Sequence, residues 1–197
     1  MRKLFLLALT LLISFFSINQ SNATKMLHRN AEELISLSER IFIGICVSVK
    51  EQQLDFSNGS PLIYTEYTFQ VLQSIKNVSS EKVVLRQIGL AKGPGSIIGM
   101  PAYERDRKYL LFLRADSEYG LASPIGLGQG AFNILEAGNG VDLAINAFGN
   151  RGLFYRMDPR ILNKTAVLTP EEKAIMSQTH GPVDLENFVG LIKSLTN

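Results

Sequence analysis

The chain has 197 residues, with 20 Lys and Arg against 18 Asp and Glu. The basic excess lies wholly in Arg2 and Lys3, so the remainder is neutral and lacks the broad positive field of a nucleic-acid or anionic-membrane binder. Cys46 is the single cysteine, which excludes an intrachain disulfide framework, and the length suits one domain with a terminal extension.

Residues 1–23 have the three parts of a cleavable secretory signal. Arg2 and Lys3 give the positive start, Leu4 to Phe16 an apolar run broken only by Thr10 and Ser14, and Ser21-Asn22-Ala23 the polar end. Small residues at the third and first positions before the cut suit signal peptidase. The apolar run falls short of the roughly 20 residues that cross a hydrocarbon core, which argues against a retained anchor. The expectation is therefore an exported chain, periplasmic or extracellular, cleaved after Ala23 and without a stable membrane anchor. The rest divides into a β-barrel-like domain over 24–155 and a C-terminal helical extension over 156–197.

Asn30 followed by Glu33 predicts an N-cap with a capping-box partner, opening a short helix over 30–38 with Leu34, Ile35 and Leu37 as its apolar stripe. Ile41 to Val49 is β-branched and predicts a strand with Ile41, Ile43, Ile45, Val47 and Val49 on one face, and Phe42, Gly44, Cys46 and Ser48 on the other. Ser57-Asn58-Gly59-Ser60-Pro61 is a turn signal. Thr65 to Val71 then alternates cleanly, Tyr67, Phe69 and Val71 against Glu66, Thr68 and Gln70, as a half-buried antiparallel strand does.

Val83 to Ile88 and Tyr109 to Leu113 give a third and a fourth strand, separated by a long glycine-containing loop over 89–107. Ile125 to Ile134 reads as a fifth strand bent by Gly126, Gly128 and Gly130. Val141 to Ala147 and Leu153 to Tyr155 read as further short strands. Thr169 caps a helix starting at Pro170, and a second helix is expected from Asp184 to Leu195. The fold class is mainly β: a small five-stranded OB-like Greek-key barrel with a short N-terminal helix and C-terminal helices.

Catalytic patterns are absent by spacing. His28 and His180 stand in no His-Glu-x-x-His arrangement, and with one cysteine they are too few for a Cys/His zinc site, so no metal and no cofactor is expected. Cys46 has no neighbouring cation to lower its pKa and reads as a small apolar strand residue. Ser96 lacks the Gly-x-Ser-x-Gly elbow. The glycine clusters at 93–99 and 126–130 lack the strand-loop-helix context that aims backbone amides at a phosphate.

The loop over 89–107 is too long for an ordinary hairpin, and such loops either recognise something or cover a core. Ile97, Ile98, Met100 and Tyr103 would give it an apolar tip, and Arg86, Gln87 and Gln129 would add polar groups to a binding surface.

The succession Ile63-Tyr64-Thr65-Glu66-Tyr67-Thr68-Phe69, Val84-Leu85-Arg86-Gln87-Ile88-Gly89, Gly99-Met100-Pro101, Tyr109-Leu110-Leu111-Phe112-Leu113 and Gly128-Gln129-Gly130-Ala131-Phe132 resembles a group of uncharacterised exported bacterial proteins. These are similar in outline to the OB-fold domain of tissue inhibitors of metalloproteinases and netrin modules. The resemblance spans roughly 38–135 and implies an OB-like barrel with a protein partner, such as an exported protease. The animal inhibitors present a disulfide-tied N-terminal cysteine to the protease zinc; here Thr24 would stand at that end, so this chemistry does not carry over. The expected function is an exported, non-enzymatic binding module, with a secreted hydrolase as the alternative.

Overall fold

The computed structural model describes residues 27–55, 61–138, 140–157 and 168–196. The expected signal segment with its cut after Ala23 lies outside the described residues, as does the turn at 57–60.

Helix α1 (Ala31–Leu37) starts at the expected cap. Asn30 Oδ1 accepts from the Glu33 N–H at 2.9 Å, and the Glu33 carboxylate accepts from the Asn30 N–H at 3.2 Å. This reciprocal pair satisfies two donors that the first helical turn leaves open.

Strands β1 (Arg40–Asp55) and β2 (Pro61–Lys76) each run 16 residues. They outlast their apolar patterns because pairing, rather than burial, sustains the distal half of the hairpin, from Lys50 opposite Glu66 to Asp55 opposite Pro61. The two-faced alternation expected for β1 holds only to Cys46. Cys46 pairs with Phe69 and Val49 with Tyr67, so three steps on β1 match two on β2 and a bulge falls at Val47. Val49 therefore packs on the same side as Cys46 rather than with Ile41 and Ile43.

Among the described residues one antiparallel sheet holds β1, β2, β3 (Lys82–Ile88), β4 (Lys108–Leu113), β5 (Ala131–Glu136), β6 (Asp142–Asn146) and β7 (Val183–Asp184), in the order β3-β2-β1-β4-β5-β6-β7. β1 to β3 form a meander, and β4 returns through the 89–107 loop to lie beside β1, which is Greek-key connectivity. β3 and β7 stand at opposite edges without pairing, so this is an open seven-stranded sheet and not the closed five-stranded barrel expected.

Two local expectations are also corrected. Residues 125–130 form a tight turn, with Gly126 and Leu127 at φ of 60° and 56° and a single 3-10 turn over Leu127–Gln129, before β5 begins at Ala131. Leu153 to Tyr155 is a succession of turns.

Each face of the sheet carries its own core. On one side Ile41, Ile43, Leu110, Phe112 and Phe132 pack against Leu34 of α1 and against Phe188, Leu191 and Ile192 of α3 (Leu185–Thr196), with Ile175 of α2 (Pro170–Met176) at its border. On the other, Phe42, Cys46, Tyr67, Phe69, Val83, Leu85, Tyr109, Leu111 and Leu113 meet beneath Tyr103. β4 supplies both, Leu110 and Phe112 to the first and Tyr109, Leu111 and Leu113 to the second. That explains its unbroken apolar sequence. Truncating one of these buried rings to alanine would cost about 3–5 kcal/mol.

Candidate functional site

The residues proposed from sequence separate into three places. Arg86 lies on the exposed face of β3, opposite Glu66 of β2, and its Nε donates to that carboxylate at 2.9 Å. Gln87 points the other way and is buried, its Nε2 donating to the Pro101 carbonyl at 3.3 Å. Neither is offered to a ligand alongside the other.

The 89–107 loop covers a core and leaves its tip exposed. Its Tyr103 is buried edge-on against three rings, with centroids 4.8 Å from Tyr67, 5.2 Å from Phe69 and 5.0 Å from Tyr109. Edge-to-face contacts of this kind add stability beyond the area they bury. The tip remains outside: Ile98 is 97% exposed and Ile97 39%. Tyr103 thus pins the loop over the second core while the tip projects.

The tip is tied in turn to the 126–130 turn, where the Gly128 N–H donates to the Gly99 carbonyl at 3.2 Å. Gly128 packs under Ala147 and Phe148, leaving no room for a side chain. Its neighbour Gln129 is buried and acts as a clamp. Gln129 Oε1 accepts from the Arg29 N–H at 2.7 Å, and Nε2 donates to the Leu27 carbonyl at 3.0 Å. The amide proposed as a ligand contact is consumed in holding the segment 27–29.

That segment forms one wall of a cleft of about 710 Å³, bounded otherwise by 146–153 and 179–181. The frame is a buried amide network. Asn146 Oδ1 accepts from the backbone N–H groups of Phe148 and Asn150, both at 3.0 Å, and Asn146 Nδ2 donates to the Gln129 carbonyl at 3.1 Å. Asn150 returns Oδ1 to the Asn146 N–H at 2.9 Å and donates Nδ2 to the carbonyls of Ala144 and Gly181 at 2.8 and 2.9 Å. Backbone bonds from Gly181 to Gly149 and from Gly152 to Thr179 lace the two loops together. A fully paired buried network of this kind holds one geometry.

The cleft mouth is set by His28, Arg29, Arg151 and His180, and its apolar wall by Phe148, Ala147 and Leu153. Phe148 is 41% exposed although it follows a buried asparagine, because the Asn146–Asn150 turn turns it outward. The His28 ring stacks so closely on Gly152, whose φ is +66°, that any side chain there would overlap its Nε2. Among the described residues no Asp, Glu, Ser or Cys lines the cleft.

Cys46 belongs to the second core, where burial pushes its thiol pKa up against the smaller opposing pull of a hydrogen bond to the Ser48 backbone and of the Arg105 cation, a neighbour the local sequence did not reveal. Among the described residues no group of three or more His, Cys, Asp or Glu could hold a metal ion, and no helix is long and apolar enough to cross a membrane.

Sequence reading passed over His28, Arg29, Phe148, Arg151 and His180. In sequence the histidines stand out only as metal ligands, a role their spacing excludes. The available signal was Asn146-Ala147-Phe148-Gly149-Asn150, two amide residues flanking an aromatic in a glycine turn. No protein-family model matches the chain, and no curated protein matches it.

Proposed function

We propose that this chain is an exported, non-enzymatic binding module that takes its ligand in the cleft between 27–29, 146–153 and 179–181. The observation that carries the reading is the composition of the lining: an aromatic and aliphatic wall with a few convergent polar groups, of a size ordinary for ligand sites, with no nucleophile or carboxylate among the described residues that line it. Export rests on the form of residues 1–23. The Greek-key order of β1 to β4 and the core enclosed beneath Tyr103 support an affinity with OB-like domains, in a version whose sheet stays open.

A protein partner, an exported protease among them, is a second reading, favoured by the exposure of Ile98 on a loop tip fastened beside the cleft. An apolar side chain so exposed on a loop tip suits a macromolecular contact.

Ligand-observed NMR of the purified chain against a small-molecule library tests the first reading. Binders should appear for the wild-type chain and be lost with Phe148→Ala, while Ile97→Ser with Met100→Ser leaves them bound. Hydrolysis of an ester or peptide panel that disappears in His180→Ala would instead establish the hydrolase.

A further inference from the structure

The ionisable side chains that line the cleft are all basic. Among the described residues its lining carries two arginines and two histidines and no carboxylate, in a chain that is neutral beyond its first residues. Arg29 is partly compensated by Glu33, at 3.4 Å from its guanidinium. Arg151 has no carboxylate partner among the described residues.

His28 is engaged by the backbone on both ring nitrogens. Its Nε2 lies 2.5 Å from the Arg151 carbonyl and its Nδ1 3.2 Å from the Arg29 carbonyl. His180, which also lines the cleft, engages Thr179 Oγ1 through Nδ1 at 3.0 Å.

Resting on the binding reading above, we infer that the ligand is a small organic anion: a carboxylate or phosphate held by Arg151 and His180, with an apolar body laid along Phe148 and Leu153. A guanidinium suits either oxyanion by paired, charge-assisted hydrogen bonds. Another cleft, lined by Asp142, Asp184 and Glu186 with Lys193 as its single cation among the described residues, has the opposite character. The selection is a property of one site and not of the surface at large.

Isothermal titration of the purified chain with 4-phenylbutyrate, phenyl phosphate, uncharged 4-phenylbutanol and inorganic phosphate tests it. Both aromatic anions should bind, the stronger of the two identifying the oxyanion, and the alcohol should bind at least about tenfold more weakly, as loss of a charge-assisted hydrogen bond implies. Arg151→Ala and Arg151→Gln should each lower anion affinity by about tenfold, leave the alcohol unchanged and keep the wild-type melting temperature, since the Arg151 side chain is exposed and its carbonyl, which His28 uses, is retained. Equal binding of alcohol and anions, or anion affinity indifferent to Arg151, overturns the anionic ligand while leaving a binding cleft. Inorganic phosphate binding as tightly as phenyl phosphate removes the apolar body. Failure of every probe, together with no Phe148-dependent ligand in the library, brings down the binding reading itself.

Discussion

Gln129 shows how a residue's role depends on a partner far away in the chain. Both ends of its amide are spent on Leu27 and Arg29, about a hundred positions earlier, and its own carbonyl receives the Asn146 side chain. Replacing it with alanine leaves the Leu27 carbonyl and the Arg29 N–H without these partners in a partly buried place, at up to about 1 kcal/mol each because water can reach them in part. Gln129→Ala should therefore lower the urea midpoint and speed proteolysis before Asn30; an unchanged midpoint with an unchanged cleavage rate would show that the clamp contributes nothing. From sequence, Gln129 was visible as a polar residue in a glycine-rich turn, which reads as surface. Its burial, like that of Gln87 and Tyr103, follows from contacts between distant segments that no local pattern encodes.

Helix ends were legible because their chemistry is confined to four residues. The caps at Asn30 and Thr169 both form, each with its glutamate partner. They differ in what else they touch: the Asn30 amide also donates to the carbonyls of Tyr155 and Arg156 at 3.0 and 3.3 Å. Asn30→Ala should cost about 1–2 kcal/mol and Thr169→Ala nearer 1 kcal/mol or less, read from urea unfolding of both variants. Equal losses would mean that the cross-links to 155–156 are without weight. Strand β1 was less legible for a definite reason. With apolar residues on both faces, Ile41 to Val49 carries no polar phase marker, so the parity change at Val47 leaves no trace in the sequence. β2 and β3, which bury only one face, alternate as read.

For the molecule as a whole, the second core concentrates weak acids. Burial raises the pKa of the Cys46 thiol and of the Tyr67 and Tyr109 phenols, and drives that of Tyr103 well up. The folded chain then keeps protons that the unfolded chain releases, from about pH 8.5 for the thiol and about pH 10 for the phenols. Stability should be full below that range and fall as pH rises through it, by up to about 1.4 kcal/mol per pH unit for each group. Urea unfolding at pH 7, 9 and 10.5 measures this. Tyr103→Phe should flatten the decline while costing little at pH 7, since its hydroxyl has no hydrogen-bond partner among the described residues; an undiminished slope would place the effect elsewhere. The mainly β class and the Greek-key return were readable from alternation and loop length. Closure was not, because whether the outer strands of a sheet meet is decided by its overall curvature and by strands as short as β7. An open sheet exposes backbone along its borders, which invites other chains to add to it. Here β7 has only two residues, the Ala122 N–H occupies the Arg86 carbonyl of β3, and the free flank of β1 beyond Cys46 carries Lys50, Glu51 and Asp55. Each border is shortened, covered or charged, so an architecture that leaves its rim unsealed still resists the fibrous self-association that a crowded compartment would otherwise promote.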